Sequence, residues 1–430
     1  MTTPAVEVFA VPAVFEERES EIRSYCRAFP AVWTSARGAH LYAADGRAYV
    51  DFLAGAGALN YGHNHPALKA ALVEYLAGDG VGHALDMHTT AKEAFLSAFV
   101  EDVLEPRGLD HKVQFTGPTG TNAVEAAFKV ARKATGRSGV FAFMGGYHGH
   151  TLGSLAATAN RYHRGAAGVD LGNVTFLPFP GGPTRDLDTL GYLRTILADS
   201  HSGVDLPAAV IVETVQAEGG VNVAPAEWLA GLAEICAEHG ILLIVDEIQT
   251  GCGRTGPFLS FERAGIVPDV VVVSKSISGL GLPMALTLIR PEFDVWSPGE
   301  HTGTFRGNQL AFVTGTAALA LWRSGEVQRT IERNTALISD ILARDVVSLD
   351  ERLELRGIGM LWGVDTARID PTGVLAAAIG ERCFADGLVI ERVGRNDTVL
   401  KLLPPLTIDA FTLGEGLAIL AAATSSCLPT

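Results

Sequence analysis

Six short runs through the middle of the chain are apolar and mostly β-branched: KVQF (112–115), VFAF (140–143), AVIV (209–212), ILLIV (241–245), VVVV (270–273) and ALTLI (285–289). A strand wet on one face alternates apolar and polar positions, whereas a run that stays apolar predicts a strand buried on both faces, the habit of a parallel sheet covered by helices. Helical stretches lie between the runs. AVEAAFKVARKA (123–134) is rich in alanine and long side chains, and PAEWLAGLAEICAEHG (225–240) closes on a glycine suited to the position after a helix. The repeated strand–helix order predicts an α/β domain.

Beyond about residue 325 the pattern changes to a charged helix, EVQRTIERNTALISDILARDV, and short strands in RLELRGIGMLWGVD and TVLKLLPPLTI. With 430 residues, 48 % of them hydrophobic, the chain is too long for one ordinary core. The expected division is 1–60 as the N-terminal part of a small domain, 61–320 as a large domain, and 321–430 as the C-terminal part of the small one. No internal repeat appears.

Charge and cysteines narrow the partners. A net charge of −15, from 33 basic and 48 acidic residues, repels nucleic acid and anionic lipid, which leaves small molecules and protein partners. Five cysteines, an odd count without CxxC or metal-finger spacing, fit a reducing cytoplasm. MTTPAVEVFAVPAVFEERESE carries no basic start ahead of an apolar run, and no uninterrupted apolar run approaches the roughly 20 residues that span a bilayer. Neither export nor a membrane anchor is expected.

Four places could carry chemistry. Lys275 follows VVVV, so its amine stands at the C-terminal edge of the sheet, where open α/β sheets bind ligands and where partial burial makes an amine nucleophilic. The bland alternative is an exposed lysine at a strand end. Asp246 follows ILLIV at the same edge and either pairs with a cation or caps the next turn. TGPTGTN (116–122) gathers Gly117, Gly120 and Thr121 at a helix start near Ala123, which forms an anion site or a cap made by Thr121 or Asn122. Tyr147, with His148 beyond VFAF, could stack on a flat heterocycle or simply pack. GCGRTG (251–256) matches GxGxxG, yet five residues separate it from ILLIV and no helix start follows, which argues against a dinucleotide site. His63 and His65 lack a third ligand and suit the loop before a helix starting at Pro66, so no metal is expected.

Together, VDEIQTGCGRTG, PDVVVVSKSISG, the TGPTGTN turn and Tyr147 resemble the pyridoxal-phosphate aminotransferases of fold type I, in the class III ω-aminotransferase group. The resemblance implies a mainly parallel seven-stranded sheet and a small α/β domain built from both termini. It implies that Lys275 carries pyridoxal 5'-phosphate and moves a proton, that Asp246 pairs with the pyridine nitrogen, and that Gln249 lies near the phenolic oxygen. Tyr147 would stack on the ring, Gly120 and Thr121 would bind the phosphate, and Glu213 counts among the cofactor-binding residues. Thr304, in HTGTFRGN, would reach the phosphate of a neighbouring subunit, which implies a homodimer or a higher homo-oligomer.

Within that group, FEERESEIRSYCRAFP, FLAGAGALNYGHNHP, SKSISGLGLPMAL and WSPGEHTGTFRGNQLAFVT are similar to the diaminobutyrate–2-oxoglutarate aminotransferases. These interconvert L-2,4-diaminobutyrate plus 2-oxoglutarate with L-aspartate 4-semialdehyde plus L-glutamate, a step that serves ectoine synthesis or peptide products. The alternatives are a class III enzyme acting on ornithine, GABA or a similar ω-amine, or an aminomutase. Glu218 matches a glutamate that pairs with an arginine and releases it when glutamate binds. Lys401 stands in that arginine's place, and a lysine cannot make the bidentate fork. Ala217 replaces a glycine and is expected to restrict the Glu218 loop. Arg306, where many relatives have glycine, is either a further cation near the phosphate or a substrate carboxylate, or a structural arginine.

Overall fold

In the computed structural model, which describes residues 11–429, the apolar runs become the centre of a seven-stranded sheet. The first ten residues, part of the segment read as lacking an export signal, lie outside the described residues. In chain order the N-terminal strands are β1 Trp33–Arg37, β2 His40–Ala43 and β3 Ala48–Asp51. The central ones are β4 Lys112–Phe115, β5 Val140–Phe143, β6 Val174–Leu177, β7 Ala209–Glu213, β8 Val215–Gln216, β9 Asn222–Val223, β10 Leu242–Asp246, β11 Val270–Val273 and β12 Leu286–Ile289. The last are β13 Glu354–Ile358, β14 Leu361–Asp365, β15 Leu388–Val389, β16 Glu391–Val393 and β17 Val399–Leu402.

The large sheet runs β4-β12-β11-β10-β7-β5-β6. Its residues alternate between two cores, as the pleat requires: Val271 and Val273 join one cluster, while Val270 and Val272 join another against Ala123, Val124, Ala127 and Phe128 of helix Gly120–Thr135. Two features depart from the sequence reading. The ALTLI strand, β12, runs antiparallel to both β11 and β4. An apolar run reports burial on both faces and carries no information about direction. The seventh strand, VTFL at β6, stands outside the six apolar runs and forms one edge of the sheet, half-buried except at Leu177, while KVQF at β4, expected to be buried on both faces, is the other edge and is exposed at Lys112 and half-buried beyond it.

The helix expected near Ala123 begins at Gly120, with Thr119 as its N-terminal cap residue, so Thr121 and Asn122 lie inside its first turn. Helix Ala226–His239 ends at Gly240 in the left-handed region (φ 58°). The N-terminal hairpin closes onto the C-terminal part of the chain, since β3 pairs in parallel with β15. A further sheet is ordered β13-β14-β17-β16. Helix Ala410–Cys427, of mean hydropathy 1.3, is long and apolar enough to cross a membrane, yet it buries Leu413, Gly416, Leu417, Leu420 and Ala423 within the fold. Gly416 lies against Phe52, whose ring leaves no room for a Cβ.

The GxGxxG look-alike has a structural use. Arg254 within it is fully buried and donates to Met360 O (3.0 Å), Pro404 O (2.6 Å) and Asn60 Oδ1 (2.6 Å). His63 Nε2 lies 2.8 Å from Asp51 Oδ2. Ala217 itself takes no positive φ, so its methyl group meets no backbone strain there, while Val221 further along the same loop does (φ 56°).

Candidate active site

β10 and β11 lie side by side in parallel, with Asp246 in register with Val272, so Asp246 and Lys275 leave the same sheet edge. Lys275 opens a short helical turn, Lys275–Ser278, with its own φ at 51°. A left-handed lysine is uncommon, and such strain persists only where the surroundings hold it. They do so through the following serines. Ser276 Oγ donates to Gly57 O (2.8 Å) and accepts from Asn60 N (3.0 Å), and Thr314 Oγ1 donates to Ser278 O (2.6 Å). Gly279 (φ 74°) presses on Ala318 and on Thr314 O, where a Cβ would clash.

The Lys275 amine makes no hydrogen bond or ion pair among the described residues. Burial lowers its pKa, and Glu218 opposes that effect. Asp246 is fixed from two sides: Ile248 N donates to Oδ1 (3.0 Å), and His148 Nδ1 lies 2.8 Å from Oδ2. A carboxylate only accepts, so the proton of that contact belongs to the imidazole. Glu213 sits in register with Asp246 on β7 and accepts from Tyr147 N (2.8 Å). Burial first, then the Asp246 charge, pushes Glu213 well above the usual carboxylate range. Tyr147 is half-buried, and burial raises its hydroxyl to about 12. His150 and His163 pack edgewise at 4.6 Å beside its ring.

The turn before helix Gly120–Thr135 is tied to the same edge. A Cβ on Gly120 would come 2.8 Å from Ile248 Cδ1, so glycine lets this helix start lie against the Asp246 loop without displacing the Ile248 side chain. The first amides of a helix are free to hold an anion. Thr121 Oγ1 shares hydrogen bonds with Thr151 Oγ1 (2.7 Å) and Ser154 Oγ (2.5 Å).

On the other side of Lys275 stands a charge cluster. Lys401, fully buried on β17, ion-pairs with Glu218 and lies 2.9 Å from Glu391 Oε2. Glu391 is its register partner on β16 and accepts from Tyr25 Oη (2.7 Å). Burial works against the charge on Glu218, but Lys401 and Lys275 outweigh it and hold the carboxyl below its usual range. Burial likewise works against Lys401, and its two glutamates leave it raised. Gln249 Nε2 donates to Ala56 O (2.9 Å) and Glu218 Oε1 (3.1 Å), while its Oε1 is buried without a partner.

Lys275, Asp246, Glu213, Tyr147, Gly120 and Thr121 thus gather at the edge of the large sheet, and Gln249 links them to Glu218 and Lys401 of the neighbouring cluster, whereas no contact ties Thr304 or Arg306 to these residues. Thr304 is exposed, and Arg306 donates to Thr302 O (3.1 Å) within its own loop. Glu391 and Tyr25 went unnoticed in the sequence, because their place depends on the β16–β17 register and on where the N-terminal segment returns.

Comparison with known proteins agrees with this geometry. The family model Aminotransferase class-III matches residues 23–424. A diaminobutyrate–2-oxoglutarate transaminase of Wolinella succinogenes is 52 % identical over 408 residues, covering 95 % of this chain and 94 % of its own. One from Halalkalibacterium halodurans is also 52 % identical, covering 95 % of each chain. Among solved structures, the ornithine aminotransferase of Toxoplasma gondii superposes with a TM-score of 0.84 at 26 % identity, over 96 % of this chain and 94 % of that one. Another structure of that enzyme, with a TM-score of 0.83 at 26 % identity over 96 % and 93 % of the chains, has partial occupancy of PLP at its active site.

Proposed function

The chain belongs to the class-III aminotransferases, and from that premise we propose that it transfers the terminal amino group of L-2,4-diaminobutyrate to 2-oxoglutarate, yielding L-aspartate 4-semialdehyde and L-glutamate. The observation that carries this reading is the unpaired, half-buried Lys275 amine between the Asp246–His148 pair and the Glu218–Lys401–Glu391 cluster.

The cofactor of the family, pyridoxal phosphate, fits the residues present. The orphaned Gln249 Oε1, the partnerless Lys275 amine and the cradle left by the missing Cβ of Gly120 are the groups such a molecule would satisfy. When bound, it supplies an electrophilic carbon for the amino group and a ring that takes up charge from the carbon bearing it. Asp246, oriented by His148, would hold a proton at the ring nitrogen. Lys275 would accept and return the proton at the reacting carbon, a task suited to an amine whose pKa burial has lowered. Glu218 would neutralise Lys401 while a diamine is bound. On turning away it would leave Lys401 to receive the carboxylate of glutamate or 2-oxoglutarate as a point charge.

The same reading includes a homodimer. Thr304 and Phe305 are exposed and free to approach the phosphate turn of a second copy. The five free cysteines suit a reducing cytoplasm.

An amino-donor screen with 2-oxoglutarate tests the proposal, following glutamate formation from diaminobutyrate, ornithine, GABA and lysine. Diaminobutyrate should give the highest kcat/KM. Preference for ornithine or GABA would overturn the substrate assignment. Lys275→Ala should lose both turnover and the cofactor that borohydride fixes covalently to the wild-type chain.

A further inference from the structure

A second cleft lies behind the Glu218 loop, with a volume of about 160 Å³, lined by Gly181, Gly182, Arg185, Asn222, Val223 and Arg356. A third guanidinium stands at its rim: Arg395 Nη1 is 3.3 Å from the point a Cβ on Gly182 would occupy. The Arg395 side chain is exposed and makes no hydrogen bond or ion pair among the described residues, and the charge that acts on it most is that of Arg356, another cation. The two carboxylates that contact these arginines are shared among them. Glu354 contacts Arg185 (3.4 Å), Arg356 (3.1 Å) and Arg368, and Asp365 takes Arg356 Nη2 (2.8 Å). Arg185, Arg356 and Arg368 therefore share two carboxylates and Arg395 adds a fourth guanidinium beside Gly182, in a chain whose net charge is −15. Such a local excess of positive charge, with one guanidinium left unpaired, suits a small oxyanion that can accept paired N–H donors.

The cleft is joined to the candidate active site through the backbone. Arg356 donates to Gly220 O from Nη2 (3.0 Å) and Nε (3.2 Å), and Gly394 N, next to Arg395, donates to Glu218 O (3.0 Å). Directly after Gly220, Val221 holds φ at 56°, a strained value for a β-branched residue. Whatever repositions Arg356 or the Gly394–Arg395 peptide also pulls on the loop that presents Glu218.

We propose that this cleft binds a small phosphate-type oxyanion between Arg185, Arg356 and Arg395, and that occupancy alters the hold on Glu218. The binding half stands independently of the proposed reaction, whereas the coupling half rests on the role assigned to Glu218 there.

The test uses holoenzyme whose cofactor has been fixed with borohydride, so that added phosphate cannot compete at the cofactor's own phosphate site. Calorimetric titration with inorganic phosphate should show one site per chain with a Kd below about 1 mM. Arg395→Gln should weaken it by about tenfold or more, with Arg395→Lys between the two, since a charge-assisted pair contributes at about that level. Because Arg395 has no partner in the fold, the variant should unfold at the wild-type temperature. A parallel titration with glycerol phosphate separates the sources: equal binding assigns the head of a phosphomonoester, and phosphate binding alone assigns the free ion. No binding below about 10 mM, or equal binding by Arg395→Gln, overturns the site. In turnover assays phosphate should change the KM for 2-oxoglutarate in wild type and leave it unchanged in Arg395→Gln. An unaltered wild-type KM at saturating phosphate overturns the coupling while leaving the site.

Discussion

The carboxylate of Glu218 is held by Lys401, a lysine with no exposed surface, whose amine also lies 2.9 Å from Glu391. One buried cation between two anions leaves a net negative charge that a substrate ammonium group can balance. When Glu218 turns away, Lys401 keeps Glu391 as a partner, so the lysine is never left alone in a low-dielectric site.

Lys401→Met should therefore harm both stability and one half-reaction. Removing a single partner of a buried ion cluster costs about 3–5 kcal/mol, because Glu218 and Glu391 remain desolvated. The urea midpoint should fall accordingly, and adding Glu218→Gln should restore part of it. The kcat/KM for 2-oxoglutarate should drop by about 10²-fold, as expected for a lost charged contact to a carboxylate, with a smaller change for diaminobutyrate.

Asp246→Asn keeps the shape of the side chain and removes its charge. Turnover should fall by about 10²–10³-fold, the usual loss when one preorganised electrostatic group is removed. Borohydride should still fix the cofactor to Lys275, which distinguishes a lost electron sink from a lost cofactor. His148→Asn should be milder, since it disturbs only the orientation of Asp246.

Arg254→Met leaves Met360 O, Pro404 O and Asn60 Oδ1 buried without their donor. At about 1 kcal/mol or more for each unsatisfied acceptor, the loss should be about 3 kcal/mol. Equilibrium denaturation measures it. Lysine at this position should recover little, having no planar fork to reach three acceptors.

Glu247 provides a pH signature. Burial raises its pKa to about 7, against hydrogen bonds from Thr250 Oγ1 (2.8 Å) and Phe261 N (2.9 Å) to its carboxylate. A raised carboxyl pKa means that the folded state holds the proton more tightly than the unfolded one. This group's contribution is thus fully present below the unfolded value near 4.5 and declines as pH rises to about 7. Across that window the loss is about 3 kcal/mol by linkage. Glu247→Gln should flatten the stability profile between those pH values, as chemical denaturation at several pH values would reveal.

Much of this arrangement could be read from local pattern. Val270–Val273 had to be buried on both faces, and a chain leaving such a strand had to present Lys275 at the sheet edge, as ILLIV had to present Asp246. The direction of β12 could not be read, because the apolar content of ALTLI is the same whichever way the strand runs. Nor could the purpose of GCGRTG, since its arginine answers to Met360 and Pro404, acceptors more than a hundred residues away.

The serines after Lys275 show where the division falls. Their presence in SKSISG is plain in the sequence. Their work, anchoring the strained turn to Gly57, Asn60 and Thr314, appears only when those segments meet. Residue type and spacing determined which chemical groups stand at the ends of the central strands, because burial periodicity is a local property of the chain. Which charges face each other, Glu391 against Lys401 and Arg395 beside Arg356, was decided by strand register and by the return of distant segments. Coulomb energy depends on separation in space, and neighbourhood along the chain does not fix it.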